Sequence, residues 1–187
     1  MKKSFRQTAF EYRKQLSAEQ YAVLSAQIAA STSTLLQTFK PCTVGLFYPT
    51  RGEPGLLEIM GNSMLKDFRW ALPVCCESSA GPILQFAEFT QGAELEAGQY
   101  SIPVPLKKTW LQPDILIVPC LAFHRRGARL GYGAGWYDRT FGTLNPNPLA
   151  IGVAYSATEM EEDFSEPHDR LLDHVVTERA VIHCRQS

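Results

Sequence analysis

The stretch DILIVPCLAF, residues 114–123, decides the fold class of this chain. Its apolar residues run on without the alternation expected of a strand that has one solvent-facing side. Such a run is typical of a central strand in a parallel sheet with helices packed on both faces. The stretch therefore predicts an α/β protein.

Further strand patterns lie on both sides of this run. The predicted strands cover residues 43–48, 70–74, 83–89, 114–123, 149–155, 174–177 and 180–184. Residues 92–105 are rich in turn formers and predict an irregular segment.

Helical patterns alternate with these strands. Ser17 and Gln20 have the spacing of a capping box, and an apolar stripe from Tyr21 to Leu35 continues that helix. A second helix is predicted after Pro54, and a third at residues 136–141. The inward face predicted for the second helix consists of Leu57, Met60, Met64 and Phe68. This alternation predicts one domain over residues 1–187, a three-layer α/β/α fold with a mostly parallel central sheet.

The composition excludes several classes of function. A formal net charge of −1 over 187 residues gives no reason to expect nucleic acid or an anionic membrane as a partner. No apolar run reaches the roughly 18 residues of a membrane span, and no apolar signal core follows the basic first residues. The five cysteines include no CxxC pair, so we expect free thiols in a reducing compartment, the cytoplasm, rather than disulfides or a metal site.

A glycine-rich loop, HRRGARLGYGAGWYDR at residues 124–139, follows the central strand. Open α/β sheets bind their ligands at this edge. Its glycines let backbone N–H groups approach an anion, and Arg129 and Arg139 add positive charge. Asp138 could hold a metal ion that bridges phosphates. The spacing matches neither the P-loop nor the dinucleotide fingerprint, so a phosphate site and a structural turn both stay open from the residues alone.

The string RLGYGAGWYDR, preceded by VPCLAF and Gly127, resembles the signature of 5-formyltetrahydrofolate cyclo-ligases. The resemblance covers most of the chain in order. Its further matching segments are Lys3, Arg6 and Arg13 with Leu16–Ser17, residues 47–49 with Gly52–Glu53, residues 71–74, residues 167–169 and residues 173–178. The resemblance implies a fold of the NagB/RpiA/CoA-transferase type.

The resemblance also implies a reaction. Members of this family use ATP and Mg²⁺ to convert 5-formyltetrahydrofolate to 5,10-methenyltetrahydrofolate. Phosphorylation of the formyl oxygen makes it a leaving group, and N10 then closes the ring and expels phosphate. Positioning and charge neutralisation suffice for such a transfer, so no protein nucleophile is required.

Residue roles follow from the same resemblance. The nucleotide would contact Lys2, Lys3, Arg6, Arg129, Leu130, Gly131, Tyr132, Gly133, Ala134, Gly135, Trp136 and Tyr137. Arg129 and Tyr137 would be the catalytic residues among these. The folate would contact Tyr48 and Glu53, together with Tyr132, Gly133, Ala134, Gly135 and Trp136. Asp138 and Asp173 would be magnesium ligands, directly or through water.

Each role has a structural alternative. Lys3 and Arg6 fit a solvated basic terminus, and Glu53 fits the first turn of a helix. Asp173 fits a turn or cap, whereas Trp136 and Tyr137 fit core positions. The histidines lack metal-ligand spacing and are predicted to be structural.

The sequence departs from the family pattern at five positions. His124 replaces Asp, Ala134 and Cys120 replace Gly, Trp136 replaces Tyr, and Val104 replaces Glu. An ATP-dependent enzyme acting on another small substrate, a non-catalytic folate- or nucleotide-binding protein and an unrelated glycine-rich domain therefore remain alternatives. The expected ligands are ATP and a reduced folate, with neither nucleic acid nor membrane, and the expected state is a monomer or weak dimer.

Overall fold

The computed structural model describes residues 2–79, 81–167 and 169–184 of the chain. The strands of its main sheet are β1 Thr43–Gly45, β2 Arg69–Cys76, β3 Ile83–Glu88, β6 Trp110–Leu111, β7 Ile115–Pro119, β10 Leu149–Val153, β11 His174–Val176 and β12 Val181–His183. Two small ribbons contain the remaining strands, β4 Leu95–Ala97 with β5 Pro103–Pro105, and β8 Ala122–Phe123 with β9 Arg129–Leu130.

The eight-stranded sheet has the order β12-β11-β10-β7-β1-β2-β3-β6. The five adjoining strands from β11 to β2 pair in parallel, whereas β12, β3 and β6 run antiparallel to their neighbours. Parallel neighbours need crossover connections, which place helices on the faces of the sheet. The predicted α/β class with a mostly parallel sheet is confirmed.

Strand β7 lies inside the sheet and is buried on both faces. Ile115 and Ile117 pack into the core on one face, and Leu116 and Val118 pack into the core on the other. All four are at most 3% exposed. The continuous apolar run of the sequence therefore reflects two buried faces, as predicted.

The strand predicted over residues 114–123 is too long. Strand β7 ends at Pro119, and residues 122–123 pair with residues 129–130 in the β8–β9 ribbon. A proline has no N–H for the sheet ladder and suits a strand end. Gly127, with φ +99°, lies in the turn that closes the ribbon. The ribbon contains the first part of the glycine-rich loop and returns the chain to the carboxyl end of β7, where residues 131–135 of the loop follow.

The helices cover both faces of the sheet. They are α1 Lys2–Gln15, α2 Ala18–Leu36 and α3 Trp136–Thr143. Ile28 of α2 packs in the same core as Ile117, and Phe141 of α3 packs in the core that contains Val118. No helix in the described part of the chain is long and apolar enough to cross a bilayer.

The predicted capping box of α2 is present. The Gln20 N–H donates to Ser17 Oγ at 3.1 Å, and the Ser17 N–H donates to Gln20 Oε1 at 2.9 Å. These two bonds satisfy N–H groups that have no partner within the helix.

The prediction of a helix with one continuous inward face after Pro54 is wrong. Two short 3₁₀ helices, Leu57–Gly61 and Ser63–Leu65, occupy this segment. Asn62 interrupts the helix, because its side chain accepts the Met64 N–H at 3.0 Å and starts a new turn. As a result Met64 points outward and is 69% exposed, while Leu65 is buried in its place.

The segment predicted to be irregular contains the β4–β5 ribbon. Residues 95–97 pair with residues 103–105, and a 3₁₀ turn, Gln99–Ser101, connects them. Tyr100 and Ser101 take positive φ values of +57° and +58° in that turn. The turn-forming composition identified the connection but concealed the two short strands. His168, which belongs to the resemblance, lies outside the described residues.

Candidate active site

A cavity of about 630 Å³ opens where the parallel strands end. Tyr48 just beyond β1, Cys75 near the end of β2 and Pro119 at the end of β7 all line it. The carboxyl edge is where open α/β sheets bind ligands. Charged side chains also line the cavity, namely Lys2, Arg6, Arg51, Glu53, Arg129, Asp138, Asp169 and Arg170.

The glycine-rich loop forms one wall. Every residue from 129 to 138 lines the cavity. Gly133 has φ +97°, and Gly135, with φ +68°, is the N-cap of α3. These left-handed conformations favour glycine and turn the loop into the first turn of α3. The free N–H groups of that turn are suited to an anion such as phosphate.

Arg139 holds this loop in place. Its Nη2 donates to the Ala134 carbonyl at 2.8 Å, and its Nε donates to the Pro82 carbonyl at 2.6 Å. The guanidinium also lies 5.7 Å from the centre of the Trp136 ring. Arg139 itself does not line the cavity, so its positive charge has a structural role that differs from the mobile phosphate contact predicted from the sequence.

Helix α1 contributes two of its three predicted cations. Lys2 and Arg6, one turn apart on the helix, line the cavity. Arg6 Nε donates to the Gly131 carbonyl at 3.0 Å, and Lys2 Nζ lies 2.6 Å from a Glu166 carboxylate oxygen. Lys3 is exposed and does not line the cavity, so the structure does not bring it to this site.

Glu53 is the most deeply buried charged residue of the cavity wall, with 4% exposure. Tyr132 donates its hydroxyl to Glu53 Oε1 at 2.7 Å, and the Thr50 N–H donates to Oε2 at 2.9 Å. Burial raises the pKa of the Glu53 carboxyl, while the hydrogen bonds from Tyr132 and Thr50 and the charge of Arg13 oppose that rise. The predicted alternative, a helix-start residue, is excluded because no α-helix begins here.

Three aromatic residues predicted for the site, Tyr48, Trp136 and Tyr137, line the same cavity. Each is half-buried. Burial is the main cause of a raised pKa at Tyr137, and the negative charge of Glu53 adds to it. The Tyr137 hydroxyl therefore stays protonated at neutral pH and is available as a hydrogen-bond donor rather than as a base.

Arg129 is a buried cation that also lines the cavity. Its side chain is 7% exposed, against 53% for Asp138, with which it forms an ion pair. Nη1 donates to the Arg170 carbonyl at 2.5 Å, and the guanidinium stacks 5.2 Å from the centre of the Phe141 ring. The fixed guanidinium presents its charge in one place, as an anion site requires.

Asp173 does not line the cavity. Its Oδ2 accepts the Ala150 N–H and an Arg170 Nη2 donor, both at 2.8 Å. Asp173 is therefore connected to the cavity through Arg170, which does line it. Within residues 2–79, 81–167 and 169–184, no group of three or more His, Cys, Asp or Glu side chains is arranged to hold a metal ion.

Sequence reasoning missed four charged residues in or behind the wall, namely Arg13, Arg51, Asp169 and Arg170. Arg13 lies on the same face of α1 as Lys2 and Arg6, and this spacing was visible in the sequence. Arg51 is a neighbour of residues that carried the resemblance, and Asp169 belongs to one of its matching segments but was given no site role. Arg170 gave no such sign, because only the fold brings it beside Arg129.

Two departures from the family pattern have simple structural outcomes. Position 134 does not require a glycine, because the backbone of Ala134 does not have a positive φ. The non-glycine residues with positive φ in the described part of the chain are Arg51, Tyr100 and Ser101. Val104 is 5% exposed and lines the cavity as an apolar residue.

Two further departures lie beside the site. His124 is 8% exposed, lies 3.8 Å from Asp163 and does not line the cavity. Cys120 is fully buried, and burial raises the pKa of its thiol to about 12, so the thiol stays protonated.

Comparison with known proteins agrees with this geometry. The sequence profile of the 5-formyltetrahydrofolate cyclo-ligase family matches residues 1–178. The 5-formyltetrahydrofolate cyclo-ligase of Mycolicibacterium smegmatis is 34% identical over 143 residues, which cover 72% of this chain and 73% of that protein. The enzyme of the same name from Escherichia coli strain K12 is 30% identical over 171 residues, 88% of this chain and 93% of that protein.

A solved structure shares the fold over the whole chain. The NMR structure of Aquifex aeolicus 5,10-methenyltetrahydrofolate synthetase matches with a TM-score of 0.81 and 28% identity, and the match covers 100% of this chain and 94% of that one. The resemblance carried by residues 129–139 is confirmed. The chain belongs to the 5-formyltetrahydrofolate cyclo-ligase family.

Proposed function

We propose that this protein converts 5-formyltetrahydrofolate and ATP to 5,10-methenyltetrahydrofolate, ADP and phosphate. One observation carries the proposal. One cavity is lined both by Tyr48 and Glu53 and by the glycine-rich loop with Arg129. A folate bound at the first set of residues and a nucleotide bound at the loop can bring the formyl group and the γ-phosphate together.

The proposed reaction has two steps. The formyl oxygen attacks the γ-phosphorus and ADP leaves, which gives an imidate-like phosphate. N10 then attacks the former formyl carbon, the carbon–oxygen bond breaks and the phosphate departs as hydrogen phosphate, which carries the proton that N10 loses. Lys2, Arg6 and Arg129 lie where they can neutralise the phosphates during both steps, which supports transfer by positioning and charge stabilisation.

The folate side is proposed to be the wall around Glu53. The buried carboxylate of Glu53 can accept hydrogen bonds from the adjacent N–H groups of a pterin edge. Such bonds are strong because the acceptor is charged and the site is shielded from water. Tyr48 and Trp136 supply flat aromatic surfaces nearby, which can pack against a planar ligand.

Asp138 is the proposed magnesium ligand. It lines the cavity beside Arg129, is half exposed and offers the carboxylate oxygens that Mg²⁺ prefers. A bound magnesium ion would supply additional positive charge to the phosphates. Asp173 we assign instead to holding Arg170 in the cavity wall.

The compartment and the oligomeric state are also part of the proposal. We propose a cytoplasmic protein that works as a monomer or weak dimer. All five cysteines are free thiols, which supports a reducing compartment. Light scattering after size-exclusion chromatography measures the oligomeric state directly.

The activity is tested by mixing the purified protein with 5-formyltetrahydrofolate, ATP and Mg²⁺ and following the absorbance of the methenyl product. We expect product with wild type and at least a tenfold lower rate with Arg129→Gln, which loses a fixed phosphate-binding cation. Lys107→Gln, a substitution outside the cavity, is the control. Calorimetric binding of both ligands without any product would instead support a non-catalytic binding protein.

A further inference from the structure

Helix α1 presents a third cation behind the cavity. Lys2, Arg6 and Arg13 share one face of the helix, since their spacings of 4 and 7 residues both return to nearly the same side. Lys2 and Arg6 line the cavity, whereas Arg13 lies one layer deeper and is 6% exposed. A buried arginine is costly unless its donors are satisfied and its charge is used.

Two of the three nitrogens of Arg13 are firmly held. Nη2 donates to the Cys120 carbonyl at 2.8 Å, just beyond the end of β7. Nη1 donates to the Tyr132 hydroxyl at 2.9 Å, in the glycine-rich loop. Nε is the only buried side-chain nitrogen or oxygen without a hydrogen-bond partner among the described residues. The position that lets Arg13 donate to these two acceptors therefore leaves its Nε–H without a partner, which costs stability.

Tyr132 passes this contact on to Glu53. Its hydroxyl accepts from Arg13 and donates to Glu53 Oε1 at 2.7 Å, while the Thr50 N–H fixes Oε2. Phe10 packs 5.6 Å from the Tyr132 ring, and Arg51 lies 5.2 Å from its centre on the cavity side. The ring is thus held in one orientation, and the carboxylate is held by both oxygens.

We propose that Arg13 is a positioning residue that acts on the folate through Tyr132 and Glu53. It fixes the Tyr132 hydroxyl as a donor to Glu53 and keeps that carboxylate ionised and aimed into the cavity. Because Lys2 and Arg6 of the same helix line the cavity, α1 also connects this network to the cations proposed to neutralise the phosphates. The inference rests on the proposed function, in which Glu53 binds the folate.

The charges around Glu53 set the expected pH dependence. The groups that lower its pKa are Tyr132 of the loop, Thr50 beside it and Arg13 of α1, and the charge of Glu53 in turn raises the pKa of Tyr137 in α3. Burial raises the Glu53 pKa and Arg13 lowers it, so loss of the Arg13 charge raises it further. In Arg13→Gln the fraction of ionised Glu53 then falls as the pH is lowered, and folate binding weakens most at the acidic end.

The test compares Arg13→Gln with Arg13→Lys and with Lys14→Gln, whose side chain is 71% exposed on the same helix. We expect Arg13→Gln to raise the KM for 5-formyltetrahydrofolate about tenfold at neutral pH, and the KM for ATP less than about twofold. The folate KM of this variant rises further from pH 8 to pH 6, whereas Arg13→Lys recovers part of the affinity. Lys14→Gln leaves all of these values unchanged.

Thermal unfolding shows whether Arg13→Gln folds as stably as wild type. If it does not, Tyr132→Phe tests the inference in its place. Tyr132→Phe removes the relaying hydroxyl and should raise the folate KM with the same preference for folate over ATP. The double variant Arg13→Lys, Tyr132→Phe should then be no worse than Tyr132→Phe alone. Equal effects on both substrates, an unchanged folate KM or multiplicative effects in the double variant overturn the inference.

Folate turnover and folate binding by the wild-type protein distinguish a failure of this inference from a failure of the proposed function. Where wild type forms no product, the dissociation constant of 5-formyltetrahydrofolate from titration calorimetry replaces KM, and the same fold-changes apply. Where wild type binds no folate at all, the proposed function fails and the inference fails with it. Folate turnover by wild type with an unchanged folate KM in Arg13→Gln defeats the inference alone.

Discussion

Glu53 shows how a single side chain acquires its properties from the fold. A carboxylate that is 4% exposed prefers the neutral form, and the donors from Tyr132 and Thr50 work against that preference. The partners lie 79 and 3 residues away in the sequence. Glu53 itself was identified from the sequence, but its near partner was not predicted and its distant partner required the fold.

Glu53→Gln tests this residue directly. The amide keeps the size of the side chain but loses the charge, so we expect kcat/KM for the folate to fall at least about tenfold with little change in the KM for ATP. Steady-state kinetics of methenyl formation measure both values. Glu58→Gln, an exposed neighbour, is the matched control. An equal loss for both substrates would contradict a folate-side role.

Asp138 and Asp173 were predicted to share one role, and the structure separates them. Asp138 lines the cavity, whereas Asp173 bonds the Ala150 N–H and Arg170. We expect Asp138→Asn to raise the half-saturating Mg²⁺ concentration about tenfold or more, because a charged ligand is lost. Asp173→Asn should instead lower the melting temperature and leave the Mg²⁺ dependence nearly unchanged. Mg²⁺ titration of the rate with thermal unfolding distinguishes the two roles, and the opposite pattern rejects the assignment.

At the scale of elements, local rules predicted some segments and failed at others. The capping box of α2 needs only Ser17 and Gln20, so the sequence revealed it. The segment after Pro54 follows a helical spacing of apolar residues, yet the Asn62 side chain competes for the Met64 N–H and divides it into two 3₁₀ turns. The β4–β5 ribbon was missed because strands of three residues carry too little periodicity.

Ser17→Ala tests the contribution of the cap. Loss of the side-chain acceptor leaves the Gln20 N–H without its partner, and we expect about 1 kcal/mol lower unfolding free energy. Urea denaturation measures this difference. Gln27→Ala, an exposed change in the middle of the same helix, should be neutral or slightly stabilising. Since Ser17 lies outside the cavity, the turnover number of Ser17→Ala should equal that of wild type.

At the scale of the whole molecule, the strand order could not be predicted from the sequence. The two-sided burial of β7 predicted a central strand, but its neighbours β1 and β10 come from residues 43–45 and 149–153, far apart in the chain. The glycine-rich loop was visible as a candidate ligand site, whereas its meeting with α1 and Glu53 depends on that strand order. Local pattern and the family resemblance thus predicted some parts of the candidate site, and long-range packing brought them together.

Gly152→Ala tests the close packing of β10 against Leu172 and Cys120. A Cβ at Gly152 would lie 2.4 Å from Leu172 Cδ1 and 3.1 Å from Cys120 Sγ, inside the core beside β7. We expect about 1–3 kcal/mol lower unfolding free energy from this overpacking. Gly142→Ala is the matched control, because nothing lies within 4 Å of its Cβ position in α3 and the added methyl should stabilise the helix. Equal stabilities of the two variants would contradict the packing.

The central claim is that the cavity brings the formyl oxygen of the folate to the γ-phosphate of ATP. A substrate carrying heavy oxygen in its formyl group tests this most directly, with mass spectrometry of the phosphate that is released. The account predicts that the label appears in the phosphate, one labelled oxygen for each methenyl product formed. Unlabelled phosphate alongside product would contradict it, because the formyl oxygen would then leave by another route.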